Sequence, residues 1–177
     1  MKAKVGNLAV VRKRLHKIGA RFVKRSHQID TYYAPDQRPL RKLLGHVLRV
    51  RYDVLSKTTR LEFHIPKNAY AAEENEVAVD DYKTLQKILH LLRAKPQAVV
   101  DKEREYYRKG SVEIVLDRVR GLGTYVEVEI MGKDTKANRA RIHQVLAQLE
   151  ISTSAIVKDV RYHQMALAKK GITYGFF

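Results

Sequence analysis

Charged residues two positions apart recur along this chain inside runs that otherwise alternate with apolar ones. In Leu48-Arg49-Val50-Arg51-Tyr52 the two arginines share one parity, and Lys102 and Arg104 do the same within residues 100–106. Carboxylates repeat the arrangement: Glu74 with Glu76, Glu113 with Asp117, and Glu127 with Glu129 between Val126, Val128 and Ile130. Side chains two apart on a strand share a face, so each run predicts a strand with one charged and one apolar face. If helices cover the apolar faces, the charged faces look toward one another. Such an interior holds only if it is wet or filled by an ion and an anion, because unpaired buried charge is too costly. The residue types suit that filling. Clustered carboxylates hold hard cations such as magnesium, commonly one or two per ion with substrate phosphates beside them. Arginine forks and lysines grip phosphate oxygens and stabilise charge as a phosphorus–oxygen bond breaks. The pattern reads as metal-assisted chemistry on a triphosphate.

The elements that must position these residues show in the apolar spacing. Leu8, Val11, Leu15 and Ile18, and again Leu85, Ile88, Leu89 and Leu92, recur at helical intervals after the polar turns Gly6-Asn7 and Asp80-Asp81. Each helix is followed by an extended run ending in a Tyr-Tyr pair, residues 21–33 and 97–107. Sliding the chain by 74 residues aligns these segments. Val5 meets Val79, Leu15-His16 meets Leu89-His90, Ala20 meets Ala94 and Tyr32-Tyr33 meets Tyr106-Tyr107, which predicts a strand-helix-strand unit used twice. Further strands are predicted at 47–53, 60–65, 74–79, 112–119 and 124–131, with turns at Lys109-Gly110 and Gly121-Leu122-Gly123. A third helix is expected from an N-cap at Asp134 to residue 149, and a fourth over 159–170. The sum is a single α+β domain spanning 1–177. Its antiparallel sheet of about eight strands is expected to curl like a barrel, with the helices packed outside.

Composition bounds the rest. The chain has 177 residues, 35 Lys and Arg against 19 Asp and Glu, a formal charge of +16, and no Cys. Thiolate zinc sites, disulfide scaffolds and cysteine nucleophiles are excluded. No apolar run reaches the length of a membrane span, and the first residues lack the apolar stretch of a signal peptide, so a cytoplasmic protein is expected. The charge surplus implies a polyanionic partner, and RNA stays open beside a compact phosphate ligand because the basic loop with Arg38, Arg41 and Lys42 has no part in the strand faces. The seven histidines show no spaced ligand set, and the two-glycine turn at 121–123 lies between strands, where it cradles no phosphate.

The same residues resemble the CYTH family, the class IV adenylyl cyclases and thiamine triphosphatases. Residues 27–33 are similar to its early strand, Leu48-Arg49-Val50-Arg51 to its LRxR strand and Lys102-Glu103-Arg104 to its KxR strand. The run from Leu116 to Glu129 is similar to its LDxVxGLGxFxEIE motif, and Arg161-Tyr162-His163-Gln164 resembles its closing SYxxL segment. The resemblance implies an antiparallel tunnel that binds triphosphates with magnesium or manganese. It implies phosphate binding by Arg49, Arg51, Lys102 and Arg104, the last two also as catalytic residues. Lys2 and His64, at positions where the family carries lysine, would join them. Glu127 and Glu129, with Glu74, Glu76 and Asp117, would hold the metal. The family's opening Glu-x-Glu-x-Lys strand is represented here from its lysine onward. The implied activity is conversion of ATP to cyclic AMP and pyrophosphate. The alternatives are an inorganic or thiamine triphosphatase, or a weakened binder of polyphosphate, nucleotide or RNA ends. The implied partner is a nucleoside triphosphate or other polyphosphate, with a homodimer as an open assembly and no membrane.

Overall fold

The computed structural model describes residues 1–34, 46–66, 72–132, 134–157 and 160–170. Its elements are β1 (Lys2–Val5), α1 (Leu8–Lys17), β2 (Arg21–Ala34), β3 (Val47–Asp53), β4 (Thr58–Pro66), β5 (Ala72–Val79), α2 (Tyr82–Leu91), β6 (Lys95–Lys109), β7 (Val112–Val119), β8 (Gly123–Ile130), α3 (Lys136–Gln148), β9 (Ile156–Val157) and α4 (Tyr162–Lys169). The strands follow the hydrogen-bonded order β5-β4-β3-β2-β6-β7-β8-β1-β9. Neighbours are antiparallel along β5-β4-β3-β2 and along β6-β7-β8-β1-β9. The fold is α+β on an antiparallel sheet, as expected, with the two-residue β9 as a ninth strand. None of the described helices is long and apolar enough to cross a membrane. The basic loop at 35–45 and the tail at 171–177 lie outside the described residues.

Two compact units divide the chain. The first comprises Met1–Ser26 with Lys102–Asp159, the second His27–Asp101 with Val160–Phe177. Each contains the opening strand and helix of one sequence repeat with the strand run of the other. In the first unit β1 pairs with β8, Lys2 opposite Glu127. In the second unit β5 pairs with β4, Glu76 opposite Glu62. The repeat is therefore structural. The 74-residue offset that aligns the sequences takes Lys2 to Glu76 and the N-cap Asn7 to the N-cap Asp81.

The helices form where local chemistry and the sheet's apolar face agree. Asn7 caps α1 by accepting from the Ala9 amide at 2.8 Å, and Arg14, His16 and Lys17 in the last turn complement the helix dipole. Leu8, Val11 and Leu15 then bury against Ile114, Leu116, Val126 and Val128 of β7 and β8. Asp81 caps α2 through the Thr84 amide at 2.9 Å, and Leu85 and Leu89 bury against Tyr33 and Val50. Helix α3 departs from the expectation by one residue. Thr135 is its N-cap, accepting from the Asn138 amide at 3.1 Å, while Asp134 holds Arg139 by two bonds of 2.7 and 2.9 Å. Both residues can cap, and the guanidinium five residues on claims the carboxylate. Helix α4 starts at Tyr162, later than expected, with the Arg161 amide donating to Gln164 Oε1 at 2.7 Å. The turn between β6 and β7 uses Gly110 at φ +58°, a conformation costly for side chains with a Cβ.

Candidate functional site

The strand parity holds in β3 and β8. Val126 and Val128 lie in the core of the first unit, and Glu127 faces the other way from β8. Val50 lies in the core of the second unit, while Arg49 and Arg51 take the opposite face of β3. Each unit thus carries a polar strand face.

In the first unit that face centres on Arg104. Arg104 is directly opposite Asp117 in the β6-β7 register. Its guanidinium donates from Nε to Asp117 Oδ1 at 2.7 Å and from Nη2 to Asp117 Oδ2 at 2.6 Å and to Glu127 Oε2 at 2.7 Å. Lys2 reaches the other oxygen of Glu127 at 3.1 Å. Asp117 is completely buried, and Lys102, two residues before Arg104 and on the same face, is 2% exposed. Burial pushes the Glu127 carboxyl up, but Arg104 and Lys2 outweigh it and bring it down to about 2. Glu129, two residues along, is instead held above the ordinary carboxylate range by partial desolvation and by the negative charge of Glu127.

The second unit repeats the arrangement with the charges exchanged. Asp30 of β2 stands opposite Arg51 of β3, and 30 plus the 74-residue offset is the position of Arg104. Arg51 donates from Nε to Asp30 Oδ1 at 2.7 Å and from Nη2 to Asp30 Oδ2 at 2.9 Å. Arg49 pairs with Glu62 of β4 and lies 3.6 Å from Asp30 Oδ2. His64 bridges Glu62 at 3.2 Å and Glu74 at 3.1 Å. Burial opposes the protonated His64, but these two carboxylates raise its pKa above the usual histidine value. Glu62 is driven the other way. Burial would raise its carboxyl, yet His64, Arg49 and Arg51 hold it down at about 2. Above this cluster the His163 ring packs on Tyr32 with centroids 4.5 Å apart, and the Arg49 Nη1 donates to the Tyr32 hydroxyl at 3.5 Å. Burial and the like charge of Arg49 lower the pKa of Arg161, at the N-cap of α4.

The predicted residues therefore assemble as two sets. Lys2, Lys102, Arg104, Asp117, Glu127 and Glu129 belong to the first unit, and Arg49, Arg51, His64, Glu74 and Glu76 to the second. Four of the five expected metal ligands have other partners, among them Glu127 with Arg104 and Lys2 and Glu74 with His64. Asp117 is taken by Arg104, and Glu76 sits on the exposed edge with Arg60 at 3.2 Å. Among the described residues no three His, Asp or Glu side chains are grouped to hold an ion. Glu127 and Glu129 lie two apart on one face of β8, and burial and Glu127 disfavour negative charge on Glu129, a pairing that a magnesium or manganese ion taking other oxygens from its substrate would suit. Five residues of the site had no role assigned from the sequence, Asp30, Tyr32, Glu62, Arg161 and His163, although all but Glu62 lie in segments that carried the family resemblance. Asp30 and Tyr32, like Glu62 and His64, are two apart on one strand, so the parity rule that found the arginines also marks these.

The depressed carboxylates make acid stability a test of the geometry. A carboxyl held below its unfolded value contributes stability above pH about 4.5 that is lost as pH falls toward 2. The melting temperature is expected to drop steeply across that window. In thermal denaturation at stepped pH, Glu62→Gln is expected to flatten the drop. An unchanged slope would contradict the Arg49-Glu62-His64 arrangement.

Comparison with known proteins follows the same lines. The family model described as the CYTH domain matches residues 1–160. A protein of Methanocaldococcus jannaschii named "Putative adenylate cyclase" is 28% identical over 166 residues, covering 89% of this chain and 92% of that one. A solved structure from Pyrococcus horikoshii superposes with a TM-score of 0.79 at 23% identity, over 91% of this chain and 94% of that chain. A protein of Hippeastrum, described as a "Putative adenylyl cyclase" that reveals a dominant triphosphatase activity, superposes with a TM-score of 0.66 at 12% identity, over 97% of this chain and 95% of that chain.

Proposed function

The chain belongs to the CYTH family, and on that premise we propose that it is a divalent-metal-dependent enzyme of triphosphates, acting as one domain, that converts ATP to cyclic AMP and pyrophosphate. The observation that carries the reading is the set of three arginines, Arg49, Arg51 and Arg104, each fixed on a polar strand face by a buried carboxylate. A guanidinium locked by a two-point bond presents its remaining N–H groups in a set direction, which is how planar forks recognise phosphate oxygens. Lys102 shares the Arg104 face, and Lys2 sits beside Glu127.

In the reaction, the ribose 3′-hydroxyl attacks the α-phosphorus and gives up its proton to solvent, the bond from the α-phosphorus to the α,β-bridging oxygen breaks, and pyrophosphate leaves with that oxygen. Lys102 and Arg104 stabilise the charge that develops on the departing group, and Arg49, Arg51 and His64 bind phosphate oxygens. Glu127 and Glu129 would hold the ion, which when bound draws charge from phosphate oxygens.

A second reading, water attacking the terminal phosphorus, has support from the Hippeastrum protein's described triphosphatase activity. Incubation with ATP and, separately, tripolyphosphate, each with manganese or magnesium, distinguishes the two. Cyclic AMP with stoichiometric pyrophosphate is the expected result. Orthophosphate with ADP from ATP, or with pyrophosphate from tripolyphosphate, and no cyclic AMP selects the triphosphatase, and no product from either substrate at any metal concentration overturns both.

A further inference from the structure

The chain's charge is unevenly placed. Residues 1–26 contain nine of the 35 Lys and Arg and no Asp or Glu. Four of those nine are engaged by carboxylates supplied from elsewhere in the first unit: Lys2 by Glu127, Arg12 and Arg25 by Glu105, and Arg14 by Glu150. Arg25 shares the same Glu105, at 3.6 Å, so the start of β2 lies beside α1 and one carboxylate serves two arginines. Lys13 and Lys17 of α1 and Arg21 and Lys24 of β2 are exposed, and among the described residues they form no ion pair. Within this basic stretch Phe22 is 52% exposed, its edge against Tyr107 and the Arg25 guanidinium 5.8 Å from its ring centre.

We propose that α1 and the first five residues of β2 form a binding surface for single-stranded nucleic acid, in which Lys13, Lys17 and Arg21 contact phosphates and Phe22 stacks on a base. Uncompensated cations beside an exposed aromatic are the two features that sequence-tolerant strand binding uses: charge tracks the backbone, and a ring accepts any base. The surface does not suit a lipid bilayer. Leu8, Val11 and Leu15 of α1 are buried in the core and Val10 is its one exposed large apolar residue, so the helix offers a single valine and no apolar face to insert. Lys13, Lys17, Arg21 and Phe22 are not among the residues assigned to phosphate or metal, and the proposal does not depend on the proposed chemistry.

The test is fluorescence anisotropy of a labelled twenty-nucleotide oligouridylate, titrated with the full chain at 50 and 200 mM potassium chloride. Each phosphate contact contributes about 0.7 to the slope of log affinity against log salt on single strands. The triple variant Lys13→Gln, Lys17→Gln, Arg21→Gln is expected to lose about 2 units of slope and more than tenfold in affinity at 50 mM salt. Phe22→Ala is expected to weaken binding by roughly 5-fold or more with the slope unchanged. Both variants keep triphosphate turnover and the wild-type melting temperature. Absence of wild-type binding at 50 mM salt, equal binding by the triple variant, displacement of the oligonucleotide by free tripolyphosphate, or binding to phosphatidylserine vesicles but not to the oligonucleotide would each overturn the proposal.

Discussion

Arg104→Ala is expected to lower the melting temperature by roughly 10 °C or more and to abolish triphosphate turnover. The reason lies in what the guanidinium leaves behind. Asp117 is completely buried and is opposite Arg104 in the strand register, and Glu127 loses one of its two cationic partners. Removing one member of a buried ion pair costs about 3–5 kcal/mol, because the remaining carboxylate stays desolvated and loses the two-point bond that compensated it. For a chain of this size about 1 kcal/mol corresponds to 2–4 °C. A variant that merely unfolds would say nothing about catalysis, so the double variant Arg104→Ala, Asp117→Ala is the informative partner. It removes both charges, leaves Glu127 with Lys2, and is expected to regain a substantial part of the lost stability. Turnover is expected to stay absent, because the phosphate-binding fork is gone. Thermal denaturation and product formation measured on both variants separate the two roles. A double variant as unstable as the single one would show that Asp117 does not depend on Arg104. Recovery of turnover in the double variant would remove Arg104 from the chemistry.

The pseudo-symmetry gives this ion pair a counterpart of inverted sign. Arg104 on β6 faces Asp117 on β7, and Asp30, 74 residues before Arg104, faces Arg51 on β3. Lys2 beside Glu127 likewise has Glu76 as its repeat equivalent, opposite Glu62. In the Arg104-Asp117 and Asp30-Arg51 pairs the duplication therefore keeps the backbone positions of the charges while exchanging their signs, whereas Lys2 opposite Glu127 becomes Glu76 opposite Glu62. Each unit retains buried arginine and carboxylate in two-point contact, and neither face is simply acidic or basic. That explains why a strongly basic chain can bury so many cations: Arg49, Arg51 and Arg104 all have carboxylates within ion-pair distance.

Much of this was legible in the sequence because one rule governed it. Alternation placed Arg49, Arg51, Lys102, Arg104 and Glu127 on polar faces, and the structure puts Val50, Val126 and Val128 in the cores behind them. The N-caps Asn7 and Asp81 and the glycine turns followed from local chemistry that tertiary contacts did not override. What the sequence did not reveal was pairing. Asp30 and Glu62 lie 21 and 13 residues from the arginines they hold, in other strands, and only the register decides which carboxylate meets which guanidinium. The stacking of His163 on Tyr32 spans 131 positions and could not be inferred from spacing. For the same reason the expected metal ligands divide. Parity marks Asp117 and Glu129 alike, but the register gives Asp117 an arginine.

Arg49→Ala is expected to act on the chemistry far more than on the fold, the reverse of a purely structural arginine. Its departure leaves Glu62 with His64 at 3.2 Å and Arg51 at 3.5 Å, and leaves Asp30 with both bonds from Arg51. No buried carboxylate is stranded. Arg161, whose charged form is disfavoured by burial and then by Arg49, loses a like-charged neighbour. The stability loss should therefore stay near that of one charged hydrogen bond, about 1.5–3 kcal/mol. A fork that binds phosphate oxygens in the transition state contributes more to rate, and its removal is expected to lower kcat/KM by roughly 10²–10³. Arg49→Lys restores the charge as a point without the planar fork, and should recover the fold fully and the activity only in part. The measurements are kcat and KM for ATP and tripolyphosphate alongside melting temperatures of the three proteins. Wild-type kcat/KM in Arg49→Ala would take Arg49 out of the phosphate site. A collapse in stability like that of Arg104→Ala would show that Arg51 and His64 cannot hold Glu62 without it.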